Sequence, residues 1–278
     1  MNLDQLRRRR GAAAASTGRV TQVVAHRGAS HDHPEHTLAA YEQAIAEGAD
    51  ALECDVRLTA DERLVCVHDR RVDRTSDGRG AVSAMSLDEL DRLDFGSWKG
   101  GHAAPAQVLA FDELLALATS AHRPVGLAVE TKHPTRWAGR VERELVRQLR
   151  LFGLHRAEAG EPPRVQLMSF SRLALRRMRA LAPELPRVLL TERPPLLGRG
   201  RPLPGRATVL PTGARIAGPG IDLVRARPQL VPRLRAAGHQ VHVWTVDEPE
   251  DVELCLGLGV EAVITNRPRQ VLEQIGAR

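Results

Sequence analysis

Short apolar segments alternate with helical patterns along most of this chain, and this alternation limits its possible folds more than any other feature. We identify eight candidate parallel strands, beginning near residues 22, 50, 125, 165, 187, 221, 240 and 261. All but one are followed by a segment with apolar residues at helical spacing. This rhythm predicts an α/β fold, the (β/α)₈ TIM barrel, and the length of 278 residues suits one such barrel.

The domain organisation follows from the same pattern. Residues 1–19 include the basic run Arg7–Arg10 and are predicted to form a flexible basic arm, while residues 20–278 form the barrel. Leu64–Val67 follows the second strand too closely for a new strand–helix unit, so we expect a hairpin extension there. The polar, glycine-containing segment of about 70–106 is predicted to be a small insertion after the second strand, lying over the strand ends.

Several local assignments are specific enough to be tested against a structure. Ser86 and Glu89 have the spacing of a helical capping box. Thr135–Leu151 is predicted to be a helix and Gly220–Val224 a strand. Residues 191–205 are rich in proline, glycine and arginine and are predicted to be a loop, with a possible short strand at Ala207–Leu210.

Composition excludes some classes of protein. No apolar run reaches the roughly 18 residues that a membrane span requires, and the three cysteines show no paired spacing. We therefore expect reduced thiols and a cytoplasmic protein without a transmembrane segment. The net charge of +6 lies partly in the arm, so it is weak evidence for a nucleic-acid partner, and none is predicted. Aromatic residues are only 3% of the chain, which predicts a mostly aliphatic core.

Charged side chains are concentrated at the ends of the first predicted strands. Glu53 and Asp55 are two residues apart in a strand, so their side chains share one face. A buried pair of like charges is costly unless a cation neutralises it, and a hard divalent metal ion accepts such oxygen ligands. His26 and His68 also lie at strand ends, where the active sites of TIM barrels are found.

The order and spacing of these residues resemble a known family. His26-Arg27-Gly28, five residues, Pro34-Glu35-His36-Thr37, then Glu53-Cys54-Asp55 and His68-Asp69 are similar to the glycerophosphodiester phosphodiesterase signature, which reads H-R-G, P-E-N-T, E-x-D and H-D. The resemblance extends from about Gln22 to Pro268.

The resemblance implies the same barrel fold, a phosphoric diester hydrolase activity, and roles for individual residues. Substrates would be glycerophosphodiesters such as glycerophosphocholine, hydrolysed to sn-glycerol 3-phosphate and an alcohol, with a glycerol hydroxyl proposed for the family as the first nucleophile. The implied residues are His26 and His68 as acid and base; Glu53, Asp55 and Glu130 as ligands of one Mg²⁺ or Ca²⁺ ion; Arg27, Lys132 and Trp244 as substrate-binding groups; and Glu35 as a supporting residue.

Two departures and three alternatives remain open at this stage. In the loop Ala29–His33, His31 stands at a position where the family often has glycine. His36 stands where the family usually has asparagine, although both side chains form hydrogen bonds. A lysophospholipase D would use the same chemistry but needs an apolar groove for an acyl chain. A basic module binding nucleic acid or membrane through Arg7–Arg10 would be salt-sensitive and independent of Glu53. An inactive barrel serving as a scaffold is disfavoured because the candidate catalytic residues are intact.

Overall fold

A closed barrel of parallel strands forms the body of the protein in the computed structural model, which describes residues 21–101, 103–157, 160–192, 210 and 212–276. The arm, most of the 191–205 loop and most of the Ala207–Leu210 segment lie outside the described residues. In this part of the chain the strands are β1 (Gln22–His26), β2 (Ala51–Leu58), β3 (Leu64–Cys66), β4 (Gly126–Thr131), β5 (Val165–Ser169), β6 (Arg187–Thr191), β7 (Ile216–Pro219), β8 (Gln240–Val243) and β9 (Ala262–Thr265).

The strand order closes on itself, as the TIM-barrel prediction requires. The sheet runs β1-β9-β8-β7-β6-β5-β4-β2, and β1 also pairs with β2. All the pairings among these eight strands are parallel, whereas β3 pairs antiparallel with β2. The predicted (β/α)₈ barrel and the predicted hairpin extension are both confirmed.

Helices cover the outside of the barrel. Among the described residues they are α1 (Leu38–Ala46), α2 (Leu87–Leu90), α3 (Phe111–Ser120), α4 (Arg140–Leu151), α5 (Arg172–Leu181), α6 (Ile221–Ala226), α7 (Leu230–Ala236), α8 (Pro249–Leu258) and α9 (Pro268–Gly276). The hydroxyl of Thr37 caps α1 by accepting a bond from the amide of Ala40, and Ser86 and Glu89 form the predicted capping box at α2. None of these helices is long and apolar enough to cross a membrane.

Two predicted boundaries are wrong. The seventh barrel strand is β7, not Gly220–Val224, and Ile221 instead begins α6. The small residues of β7 concealed it: a Cβ on Gly218 would lie 2.7 Å from Leu190 Cδ2, so a larger residue does not fit there. Helix α4 begins at Arg140 rather than Thr135, because Ala138 has a φ of +45°, which a right-handed helix cannot contain.

The core has three parts, all mainly aliphatic as predicted. The largest fills the layer between strands and helices, and includes Phe111 and Leu145. A second lies inside the barrel and includes Met168 and Ile264. A third packs the segment after β3 onto the barrel and includes Phe95, which is 6% exposed. The three cysteines are buried and unbonded, as the sequence predicted.

Candidate active site

Three acidic side chains meet at the carboxyl end of the barrel strands. Asp55 of β2 pairs in register with Glu130 of β4, and Glu53 of β2 pairs with His26 of β1. Each of the three carboxylates is less than 10% exposed, and each offers one oxygen within 4.8 Å of the other two. No other group of three or more such side chains with this spacing occurs among the described residues.

Two cations lie against this carboxylate cluster. Lys132 Nζ is 3.0 Å from Glu130 Oε1 and 3.3 Å from Asp55 Oδ1. Arg27 Nε is 3.1 Å from Asp55 Oδ2, while the backbone amide of Arg27 donates to Glu53 Oε2 at 3.0 Å. The arginine and lysine that the sequence predicted to bind phosphate are therefore next to the candidate metal ligands.

When all three carboxylates are ionised, the cluster carries more negative charge than these two cations neutralise. Burial and then the neighbouring Asp55 raise the pKa of Glu53 well above its usual range and that of Glu130 to about 8. The pKa of Asp55 is held well below its usual range, despite burial, by the hydrogen bond from His36 and by Arg27 and Lys132. Three converging oxygen donors with excess negative charge fit a hard divalent cation such as Mg²⁺ or Ca²⁺.

The two candidate catalytic histidines border the same cleft and are oriented differently. His26 Nδ1 lies 2.7 Å from Oδ1 of the neutral amide Asn266, and burial followed by Arg27 lowers the pKa of His26 to about 3. His68 Nδ1 lies 2.7 Å from Asp69 Oδ1, and burial lowers the pKa of His68 although Asp55 and Asp69 oppose this effect. In both rings the Nδ1 contact leaves Nε2 as the nitrogen available to a substrate.

Apolar side chains also line the cleft. Trp244 follows β8 and donates from Nε1 to the carbonyl of Gly218 at 2.8 Å. The Phe170 ring, 43% exposed, lies edge-on to Trp244 with centroids 5.4 Å apart. The free space of the cleft, its open mouth included, is about 400 Å³. The cleft is lined by His26, Arg27, Glu53, His68, Glu130, Lys132, Met168, Phe170, Leu190, Trp244, Thr245 and Ile264. The cleft thus combines charged and apolar lining, and Lys132 Nζ lies 6.0 Å from the centroid of the Phe170 ring.

The remaining predicted residue and the substituted histidine lie just behind this cleft. Glu35 Oε1 accepts a bond from Arg27 Nη1 at 2.9 Å. His36 is 5% exposed, and its Nε2 lies 3.0 Å from Asp55 Oδ2 while its Nδ1 lies 2.8 Å from the Tyr41 hydroxyl. His36 therefore supports Asp55, a candidate metal ligand.

Sequence reasoning gave no role to several residues that contact the site. Asn266 could have been found, because it follows β9 directly and so lies at the same barrel end as the other candidates. Asp69 was visible within the H-D pair but was not assigned a role. Arg74, which contacts both Asp69 and Glu35, lies in an irregular segment and carries no sequence pattern that marks it.

Comparison with known proteins agrees with this arrangement. The family model for the glycerophosphoryl diester phosphodiesterase family matches residues 26–270. The chain is 46% identical over 251 residues to the probable glycerophosphodiester phosphodiesterase 1 of Mycobacterium tuberculosis, covering 88% of this chain and 89% of that protein.

Two solved structures share the fold. A phosphodiesterase from Oleispira antarctica, in complex with the product sn-glycerol-3-phosphate, has a TM-score of 0.78 and 26% identity, covering 92% of this chain and 97% of that one. A putative glycerophosphoryl diester phosphodiesterase from Silicibacter pomeroyi has a TM-score of 0.79 at 24% identity, covering 94% and 95% of the two chains, and supports the fold alone. The chain described here belongs to the glycerophosphoryl diester phosphodiesterase family.

Proposed function

We propose that this protein hydrolyses glycerophosphodiesters to sn-glycerol 3-phosphate and an alcohol, with one bound divalent metal ion. The observation that carries the proposal is the convergence of Glu53, Asp55 and Glu130 within 4.8 Å, bordered by His26 and His68. The product complex of the Oleispira antarctica relative supports the choice of substrate class. A cytoplasmic location remains a prediction.

The carboxylates would hold the metal ion through one oxygen each. A bound Mg²⁺ or Ca²⁺ would supply positive charge that stabilises the phosphoryl oxygens in the transition state. Arg27 can hold phosphate oxygens with the planar fork of its guanidinium, and Lys132 acts as a point charge beside them. These residues orient the diester so that its phosphorus lies between the two imidazoles.

The environments of the histidines suggest how they divide the proton transfers. Burial and the nearby Arg27 keep His26 neutral at pH 7, and its Nδ1 contacts Asn266, so Nε2 can accept a proton from the attacking hydroxyl. Asp69 opposes the effect of burial on the pKa of His68 and holds the ring through Nδ1, so His68, once protonated, can give a proton from Nε2 to the departing alcohol oxygen. With a glycerol hydroxyl as nucleophile, a P–O bond forms to the glycerol and the P–O bond to the alcohol breaks. Water then opens the cyclic diester with the two proton transfers reversed.

The apolar part of the cleft lining fits the carbon side of a glycerol unit. Trp244 and Phe170 both line the cleft, and their rings contact each other edge-on. Apolar surface there can contact the CH groups of glycerol while the phosphate faces Arg27 and Lys132. This division predicts that the rings affect substrate binding more than the proton transfers.

One assay tests the proposal. The full-length protein is incubated with glycerophosphocholine in the presence of Mg²⁺ or Ca²⁺, or of EDTA, and released glycerol 3-phosphate is measured with a coupled dehydrogenase. We expect activity that requires metal and that falls at least ~100-fold in His26→Ala and His68→Ala, because each removes a positioned proton acceptor or donor. Full activity in EDTA, or in either variant, would rule the mechanism out.

Parallel substrates separate this proposal from its alternatives. Lysophosphatidylcholine, supplied with the same metal ion, is expected to react poorly if the deacylated diester is the true substrate. Faster turnover of the lysolipid would favour the lysophospholipase D alternative. Absence of turnover on both, with salt-sensitive anion binding that survives Glu53→Gln, would favour a binding module.

A further inference from the structure

Arg74 joins two loops that carry candidate catalytic groups. It lies in the segment after β3, and its Nη1 and Nη2 donate to the two carboxylate oxygens of Glu35, both at 2.8 Å. On another edge of the same guanidinium, Nε donates to Asp69 Oδ2 at 2.8 Å and Nη2 to Asp69 Oδ1 at 3.3 Å. One planar cation thus binds two carboxylates, each through two hydrogen bonds.

Each of these carboxylates in turn holds a group that faces the cleft. Glu35 Oε1 accepts a bond from Arg27 Nη1 at 2.9 Å, and Asp69 Oδ1 lies 2.7 Å from His68 Nδ1. Arg74 is therefore separated by a single carboxylate from the phosphate-binding guanidinium and by another from the proposed proton donor. Bidentate pairs fix direction as well as distance, so a shift of Arg74 would be passed to both groups.

Trp98 lies beside this guanidinium. The guanidinium carbon of Arg74 is 5.8 Å from the centroid of the Trp98 ring, and Lys99 Nζ is 6.0 Å from the same ring. Lys99 Nζ also donates to the carbonyl of Ser30 at 2.8 Å, and Ser30 Oγ donates to the carbonyl of His26 at 2.6 Å. The segment after β3 therefore contacts both histidine loops, through Arg74 on one side and Lys99 on the other.

We propose that Arg74 is a positioning residue that aligns the His68 imidazole and the Arg27 guanidinium for the reaction, and that the Trp98 ring keeps Arg74 in place. The effect of Arg74 on catalysis rests on the proposed function. The orientation of His68 and Arg27 by Arg74 does not, and it can be tested without measuring turnover. Lysine cannot replace Arg74, because a single ammonium lacks the planar fork that spans two carboxylates.

Kinetics test the catalytic consequence. We compare Arg74→Met and Arg74→Lys with Arg71→Met, which breaks the exposed pair between Arg71 and Asp73 in the same segment. Loss of a supporting partner of this kind lowers activity about 10–100-fold, so kcat should fall by that factor in Arg74→Met while KM changes less than about threefold. Arg71→Met should match the wild type, and Trp98→Leu should fall between the two.

Two further results distinguish positioning from a general loss of structure. Millimolar guanidinium ion should restore part of the kcat of Arg74→Met and leave Arg71→Met unchanged, because the free ion can occupy the space between the two carboxylates. The kcat of Arg74→Lys should stay below the kcat of Arg74→Met measured with guanidinium. A kcat of Arg74→Met within twofold of the wild type, or a lower kcat that guanidinium does not restore, would contradict the positioning role.

A spectroscopic measurement removes the dependence on substrate. The side-chain ¹⁵N shifts of His68 report which ring nitrogen holds the proton, and His68→Gln identifies the signal. We expect the Nδ1-protonated ring in the wild type and a mixture of tautomers in Arg74→Met, since Asp69 loses the partner that fixes it. An unchanged His68 spectrum in Arg74→Met would overturn the inference whether or not glycerophosphocholine is hydrolysed. Inactive wild-type protein would instead count against the proposed function alone.

Discussion

At the scale of single residues, the contacts of each carboxylate decide its chemistry. Asp55 lies against His36, Arg27 and Lys132, and these contacts favour its charged form. Glu53 and Glu130 have fewer compensating partners, so burial and the nearby Asp55 raise their pKa values. The pKa values of the three carboxylates thus differ because their neighbours differ. A divalent cation bound between them would stabilise the charged form of all three.

Replacement of one carboxylate should weaken metal binding directly. Glu130→Gln keeps the shape of the side chain and removes its charge, so we expect the affinity for Mg²⁺ or Ca²⁺ to fall more than about 10-fold by isothermal titration calorimetry. Glu144→Gln is the matched control, because Glu144 pairs with Arg147 on α4. Equal metal affinity in Glu130→Gln and the wild type would remove Glu130 from the ligand set.

The substituted histidine should tolerate the residue usual in the family. His36 has a φ of +61°, a conformation that asparagine adopts more readily than most residues. The shorter amide of asparagine could keep one hydrogen bond to Asp55, so we expect His36→Asn to retain activity within about tenfold. His36→Val offers no hydrogen bond and disfavours this φ, and it should lose about 2 kcal/mol or more of unfolding free energy. Similar stability of the two variants in urea would refute this account.

At the scale of elements, the turn after β1 brings the loop that follows His26 against α1. Gly28 has a φ of +86°, and a Cβ there would lie 2.6 Å from the backbone carbon of Ala40. The amide of Ala29 also donates to the carbonyl of Ala40 at 2.8 Å. Close backbone contact, and not only the unusual φ, therefore requires glycine between the strand end and the helix.

Two glycine-to-alanine substitutions should separate the cost of the positive φ from the cost of the close contact with Ala40. Gly101→Ala introduces a side chain at a φ of +64° with no atom within 4 Å, so it should cost about 1 kcal/mol. Gly28→Ala adds a contact with backbone that cannot move without shifting α1, so we expect about 3 kcal/mol or more. Urea denaturation measures both, and equal losses would mean that the contact with Ala40 is relieved at no cost.

At the scale of the whole molecule, barrel closure brings distant parts of the chain to one end. Asn266 lies beside His26 because β9 pairs with β1, although 240 positions separate them. The opposite end of the barrel contains a different buried histidine. His242 of β8 is 3% exposed, and burial lowers its pKa to about 4.

His242 should make the fold less stable in acid. The folded pKa is below the unfolded value of 6.5, so the unfolded chain binds more protons between the two values. The stability is fully present above about pH 6.5 and is lost as the pH falls toward 4, by about 2 kcal/mol between pH 7 and pH 5. His242→Gln should remove this part of the pH dependence in urea titrations, and His31→Gln, on the surface, should not. Parallel pH profiles of His242→Gln and the wild type would contradict the prediction.

The sequence alone determined the barrel and most of the candidate site, because both depend on short-range order. Strand periodicity set the side-chain faces of Glu53 and Asp55, and parallel strands place their carboxyl ends together, so residues at strand ends could be grouped without coordinates. Where local patterns were ambiguous, prediction failed: Gly218 and Ala217 carry too little side chain to mark β7 as a strand.

Only the tertiary structure decided the contacts that cross between elements. The partner of His26 depends on barrel closure, and the reach of Arg74 to Glu35 depends on how an irregular segment packs over the strand ends. Neither follows from spacing along the chain, because a hydrogen bond requires atoms within about 3 Å. Periodicity fixes only the direction in which a side chain leaves its own backbone, and packing sets the final distances.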